Sequence, residues 1–249
     1  MADRVALVTG ANTGIGLAIA ERLLADGYAL GFATAHADDE HAEPLEGLRA
    51  KYGKERLHWV WGDLADAAVP ERLVDETVGA FRRIDVLVNN AGIVTAKPVL
   101  DITVADFDVT FAVDVRASFL LAQAVARQMD AGGSIVNITS VHEHIARPGL
   151  SVYAAAKAAL GMLSKAFALE LGDRNIRVNS VAPGVIATLR NEGDAHVLNT
   201  EVPLGRPGKP EEVAALVAWL CSDEAAYVTG QSYIIDGGMT QQVVTIPAT

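Results

Sequence analysis

The chain has 249 residues, 51% of them apolar and 20% charged, with a formal net charge of −11. That balance excludes a disordered chain, and the acidity argues against a nucleic-acid partner, because like charge repels phosphate backbones. A lone cysteine, Cys221, excludes an internal disulfide and a cysteine-built zinc site.

In chain order, short apolar runs alternate with longer amphipathic ones. "RVALVTG" reads as a strand buried on both faces, and "GLAIAERLLADG" as a helix closed by glycine. "ALGFAT" is a second strand, followed by a helix entered near Pro44. "LHWVWGDL" is a third strand, and a helix starting beside Pro70 follows. "IDVLVNNAG" is a fourth strand, and 103–129 is expected as one long helix. "GSIVNITS", the helix "SVYAAAKAALGMLSKAFALELG", "IRVNSVAPG", the helix "PEEVAALVAWLCS" and "SYIIDGG" complete the chain.

This alternation predicts an α/β fold: one domain over 1–249, a doubly wound parallel sheet of Rossmann type with helices on both faces. The irregular stretch 184–209 is expected as a substrate lid. The first strand begins within a few residues of the start and no apolar run is expected to reach membrane-spanning length, so a cytoplasmic protein with no membrane partner is expected. In such sheets ligands sit beyond the carboxyl ends of the strands, where the motifs below fall.

"TGANTGIG" joins the first strand to the first helix, with Gly10, Gly14 and Gly16 spaced to let backbone approach a pyrophosphate at a helix N-terminus. Asn12 and Thr13 can add donors, and Ile15 lies within the same turn. At the end of the second strand, where an acid would bind a ribose hydroxyl, stands Thr34, with His36 two residues on. The missing acid leans slightly to NADP, with Thr34 and His36 as candidate phosphate contacts; nearby Asp38 and Asp39 argue for NAD, and the choice stays open. Asp63 and Leu64 end the third strand, where Asp63 can accept from an adenine amino group or serve as an ordinary turn residue. Asn90, Ala91 and Gly92 end the fourth, small enough for a ribose to pass close to the backbone.

Tyr153 and Lys157 lie four apart in an alanine-rich helix and so share one face. Moving hydride between an alcohol and a nicotinamide needs a partner for the hydroxyl proton. A free phenol ionises near ~10, too high for a neutral-pH base, and an adjacent ammonium favours the phenolate. Ser140, thirteen residues before Tyr153 at the end of the fifth strand, brings a hydroxyl to the same rim. His142 and Glu143 follow it and can bind sugar hydroxyls or bond within their own loop.

"TGANTGIG", "NNAG", Ser140, "YAAAK" and the Pro-Gly at 183–184 resemble the short-chain dehydrogenase/reductase family over essentially the whole chain. The resemblance implies a seven-stranded Rossmann-type sheet, an NAD(P) cofactor and a homotetramer. It makes Tyr153 the acid/base, Ser140 the substrate-orienting hydroxyl and Lys157 a holder of the nicotinamide ribose, with Pro183, Gly184, Ile186 and Thr188 lining the nicotinamide. The family's helical asparagine, which holds a water for proton relay, falls here on Asp114, which accepts hydrogen bonds but donates only when protonated. "TSVHE" and "DGGMTQ" are similar to bacterial glucose 1-dehydrogenases, implying a sugar or polyol. Alternatives are a 3-oxoacyl-carrier-protein reductase, a broad ketone reductase, or a non-catalytic binding protein on the same fold. The apolar C-terminal tail is expected near a subunit contact.

Overall fold

The computed structural model describes residues 4–37, 39–130, 132–188 and 202–241. Seven strands form one parallel sheet: β1 (Val5–Thr9), β2 (Ala29–Thr34), β3 (Leu57–Trp61), β4 (Val86–Asn89), β5 (Gly133–Ile138), β6 (Ile176–Pro183) and β7 (Ser232–Ile235). Their order is β3-β2-β1-β4-β5-β6-β7, so the chain crosses over between β3 and β4 and opens a crevice beyond β1 and β4.

Alternation along each strand builds a core on each face. Ala6, Val8, Val86, Val88 and Val136 point to one cluster with Ile19 and Leu23 of α1 (Gly14–Ala25) and Val213 and Val217 of α7 (Pro210–Cys221). Leu7, Leu87, Ile135 and Val178 point to the other, with Leu73 of α3 (Val69–Phe81) and Leu121 and Val125 of α5 (Ser118–Gln128).

One row across the sheet is polar instead. Asn89, Asn137, Ser180 and Ser232 are successive partners in the strand register. Asn89 Nδ2 donates to Asn137 Oδ1 at 2.9 Å, and Asn137 Nδ2 to Ser164 Oγ of α6 (Ser151–Leu171) at 2.8 Å. Ser180 Oγ donates to the same Ser164 hydroxyl at 2.8 Å. The bonds among Asn89, Asn137, Ser164 and Ser180 offset part of the cost of burying this row, while Asn89 Oδ1 is left without a partner among the described residues.

Two elements differ from expectation. Helix α2 (Asp39–Tyr52) begins upstream of Pro44, which lies inside it. The long helix is α-helical over α4 (Val104–Phe111) and α5 but widens to a π turn over Ala112–Ala117. Such turns are frequent at functional sites; this one carries Asp114. The expectation that no apolar segment reaches spanning length is also corrected: Val104–Gln128 and Ser151–Arg174 are long and apolar enough to cross a membrane by length and composition. Part of that apolar surface packs against the sheet and neighbouring helices, and part of it faces outward. Of the expected lid at 184–209, residues 189–201 lie outside those described, as do Asp38 and the tail beyond 241.

Candidate active site

A cavity of about 570 Å³ runs along the carboxyl ends of the strands, from the glycine-rich turn to Ser140, Tyr153 and Lys157. Gly10 adopts φ +61°, a left-handed conformation suited to glycine. At Gly16 a Cβ would collide with the Gly10 carbonyl, so no larger residue permits this close turn before α1. Asn12, Thr13, Gly14 and Ile15 line the same end. The Thr188 methyl would stand 3.2 Å from a Cβ at Gly14, so the loop after β6 closes over the turn. Pro183, Gly184 and Ile186 line that side. This bare backbone cradle at a helix N-terminus suits a pyrophosphate.

Thr9, which sequence reasoning missed, staples the crevice. Its hydroxyl accepts from the backbone N–H groups of Asn90 and Ala91, each at 3.0 Å. Asn90 Nδ2 in turn donates to the carbonyls of Thr9 and Gly10 at 2.9 and 3.1 Å. Asn90 thus braces β4 against β1 while Ala91 and Gly92 form the wall. Its position immediately before Gly10 was the only available signal for Thr9.

Near the ends of β2 and β3, Asp63 and Leu64 line the cavity, and Asp63 Oδ1 accepts from Ala65 N–H at 2.8 Å. Thr34 lines it too, but its hydroxyl is taken: it donates to the His36 carbonyl at 2.7 Å and accepts from Trp59 Nε1 at 2.8 Å. The His36 side chain is exposed and is not part of the lining. In this arrangement the Thr34 O–H is directed to the His36 carbonyl and Trp59 fills an acceptor position of the same oxygen.

At the other end, Lys157 is nearly buried in α6, donating to the Ile138 carbonyl at 3.2 Å. Its Nζ lies 5.6 Å from the centre of the Tyr153 ring, as the four-residue helical spacing dictates. The π turn delivers Asp114, fully buried, with Oδ1 accepting from Ile93 N–H at 2.9 Å and Oδ2 3.6 Å from Lys157 Nζ. Gly92 makes room for both: a Cβ there would stand 2.9 Å from Asp114 Oδ1 and 3.1 Å from Lys157 Nζ. Ser140 Oγ accepts from His142 N–H at 3.2 Å.

His142 and Glu143 do not line the cavity. The His142 ring meets Tyr153 edge-on at 6.2 Å, its Nδ1 lies 3.2 Å from the Ile145 carbonyl, and burial lowers its pKa. Glu143 turns away to Ser232 on β7, accepting from its hydroxyl at 3.0 Å. Of the two readings of these residues, the contacts made here are those that hold the turn and tie it to β7. Sequence reading also missed Ile93, Val94 and Val113 in the wall, which carry no motif.

A family model described as enoyl-(acyl carrier protein) reductase matches residues 10–240. D-threitol dehydrogenase of Mycolicibacterium smegmatis is 39% identical over 248 residues, covering 95% of this chain and 93% of that protein. The crystal structure of acetoin dehydrogenase from Enterobacter cloacae is similar with a TM-score of 0.90 at 41% identity, covering 100% of this chain and 99% of that one. That of a blue fluorescent protein from a metagenomic library, in complex with NADPH, gives 0.89 at 36% identity, covering 95% and 98%.

Proposed function

Because the chain belongs to the short-chain dehydrogenase/reductase family, we propose that it is an NAD(P)-dependent oxidoreductase interconverting a secondary alcohol and its ketone, with a sugar, polyol or small hydroxyketone as substrate. One observation carries this reading: the glycine-rich cradle and the Ser140–Tyr153–Lys157 group open into the same cavity. The nicotinamide cofactor, when bound, supplies or accepts the hydride. The cradle from Gly10 to Gly16 suits its pyrophosphate, and Asp63 and Leu64 its adenine end. Ser140 orients the substrate oxygen. In alcohol oxidation the hydroxyl proton passes to the Tyr153 phenolate oxygen; in reduction the phenol returns it to the nascent alkoxide. Lys157 supplies the positive charge that favours the phenolate.

Among the described residues lining the cavity, Asp63 and Lys157 are the charged ones, which favours a neutral substrate. Relatives named for D-threitol and acetoin fit that class. An acyl-carrier reductase would need a basic docking patch, which a net charge of −11 disfavours. Loss of Tyr153 or Lys157 would have favoured a binding protein without catalysis, and both are present. The lean to NADP rests on the wall of Ala33, Thr34 and Ala35, which offers no carboxylate to a ribose, and on the NADPH-bound relative. We further place the protein in the cytoplasm as a homotetramer.

The test is a panel of sugars, threitol, acetoin and acetoacetyl thioesters run with both cofactors, with Tyr153→Phe as control. Diol or hydroxyketone turnover, lost by 100-fold or more (on the order of the general acid–base contribution) in the variant, supports the reading. Turnover of thioesters alone reverses the substrate ranking, and undiminished turnover by Tyr153→Phe removes the mechanism.

A further inference from the structure

Glu143 sits among groups that the reaction does not use. Its side chain is only 5% exposed, and a carboxyl group is costly to bury without partners. It rests on α6 at Gly161, where a Cβ would collide with its carboxyl group and come within 2.9 Å of its Cγ. Glycine is a poorer helix former than alanine, so the helix leaves this notch at a cost that the glutamate accounts for. Oε2 accepts from Ser232 Oγ at 3.0 Å, and His144 Nε2 lies 3.2 Å from the same hydroxyl and 3.8 Å from Glu143 Oε1. Ser232 ends the polar row that crosses the sheet to Asn89.

The other end of the residue reaches the site. Glu143 N–H donates to the Ser140 carbonyl at 2.8 Å, and His142 N–H in the same turn donates to Ser140 Oγ. Gly161 lies one helical turn beyond Lys157 and two beyond Tyr153 on the same stretch of helix. One residue thus joins the turn that presents Ser140 to the helix that presents Tyr153, and both to β7.

We propose that Glu143 is a positioning residue, its side chain seated in the Gly161 notch and bonded to Ser232, so that the Ser140 hydroxyl is held in register with Tyr153. The proposal rests on the reading of Ser140 and Tyr153 as the reacting pair. Small displacements of such groups cost rate rather than binding.

The experiment compares Glu143→Ala, Glu143→Gln, Gly161→Ala and the Glu143→Ala/Gly161→Ala double variant, with Ser140→Ala as control. Each is assayed on a vicinal diol and on a simple secondary alcohol. Glu143→Ala is expected to lower kcat on both by about 10- to 100-fold with the cofactor KM little changed, and Glu143→Gln, which still accepts from Ser232, to recover most of it. A raised KM for the diol with full turnover of the simple alcohol would make Glu143 a substrate ligand and overturn the proposal. Gly161→Ala is expected to lower Tm in the parent but raise it where Glu143 is already alanine; the same change in both backgrounds overturns the notch, and this holds even if one variant folds poorly. An inactive Ser140→Ala beside a fully active Glu143→Ala overturns the proposal alone, whereas a fully active Ser140→Ala overturns the reading it rests on.

Discussion

Asp114 is where this chain departs from its family's usual asparagine, and the structure gives that departure a setting. The carboxyl group is enclosed, tied to the Ile93 amide and 3.6 Å from Lys157 Nζ. An enclosed ion pair is weak evidence for stability, and this one stands beside the tyrosine proposed to carry the proton. Asparagine at this position would keep the acceptor for Ile93 while removing the charge beside Lys157. Asp114→Asn is expected to keep or raise turnover and to displace the pH–rate profile; a rate and profile identical to the parent's would leave Asp114 without a part in proton relay. The residues that sequence could place are those fixed by local spacing, such as Tyr153 above Lys157. Partners that sequence left open depend on what a distant strand delivers. Trp59 claims the Thr34 hydroxyl and Ser232 claims Glu143, and neither pairing leaves a local pattern.

Among the elements, strands and helices were legible because buried strands read as unbroken apolar runs and amphipathic helices keep their period. The π turn was not, since "FAVDVRASF" keeps ordinary helical composition and only the packing of Asp114 toward Ile93 and Lys157 distinguishes it. Helix α7 offers a test of an element's anchorage. Glu212 Oε2 accepts from Lys209 N–H at 2.7 Å and the carboxylate pairs with Arg206 at 2.7 and 2.8 Å. The Arg206 hydrogen bond, then that from Lys209, hold its pKa down to about 2 from 4.5. A depressed carboxylate stabilises the fold above its unfolded value and loses that contribution as pH falls through the folded one. Melting temperature followed from pH 4.5 down to about 2 should therefore fall less steeply in Glu212→Gln than in the parent. Parallel curves would mean that the pair contributes nothing measurable, as many exposed pairs do.

For the whole molecule, the long helices leave an apolar face outward. Val104, Phe107 and Phe119 are exposed on the first, and Met162 and Leu169 on the second, with Leu169 at 87%. Phe107 stacks on Phe111, and Phe119 meets Phe167 between the two helices. A face of this kind on a chain of this size fits burial against further copies. Light scattering is expected to give a tetramer, and a monomeric mass would refute it. The row from Asn89 to Ser232 has a different consequence for the same molecule. Valine, isoleucine and alanine fill these strands so evenly that a sheet assembled one residue out of step would hide nearly as much hydrocarbon. In that misaligned sheet every amide and hydroxyl of the row would swing to the opposite side, among aliphatic neighbours with no lone pairs to offer. The polar row thus penalises a misregistered sheet in a way that the aliphatic residues around it do not.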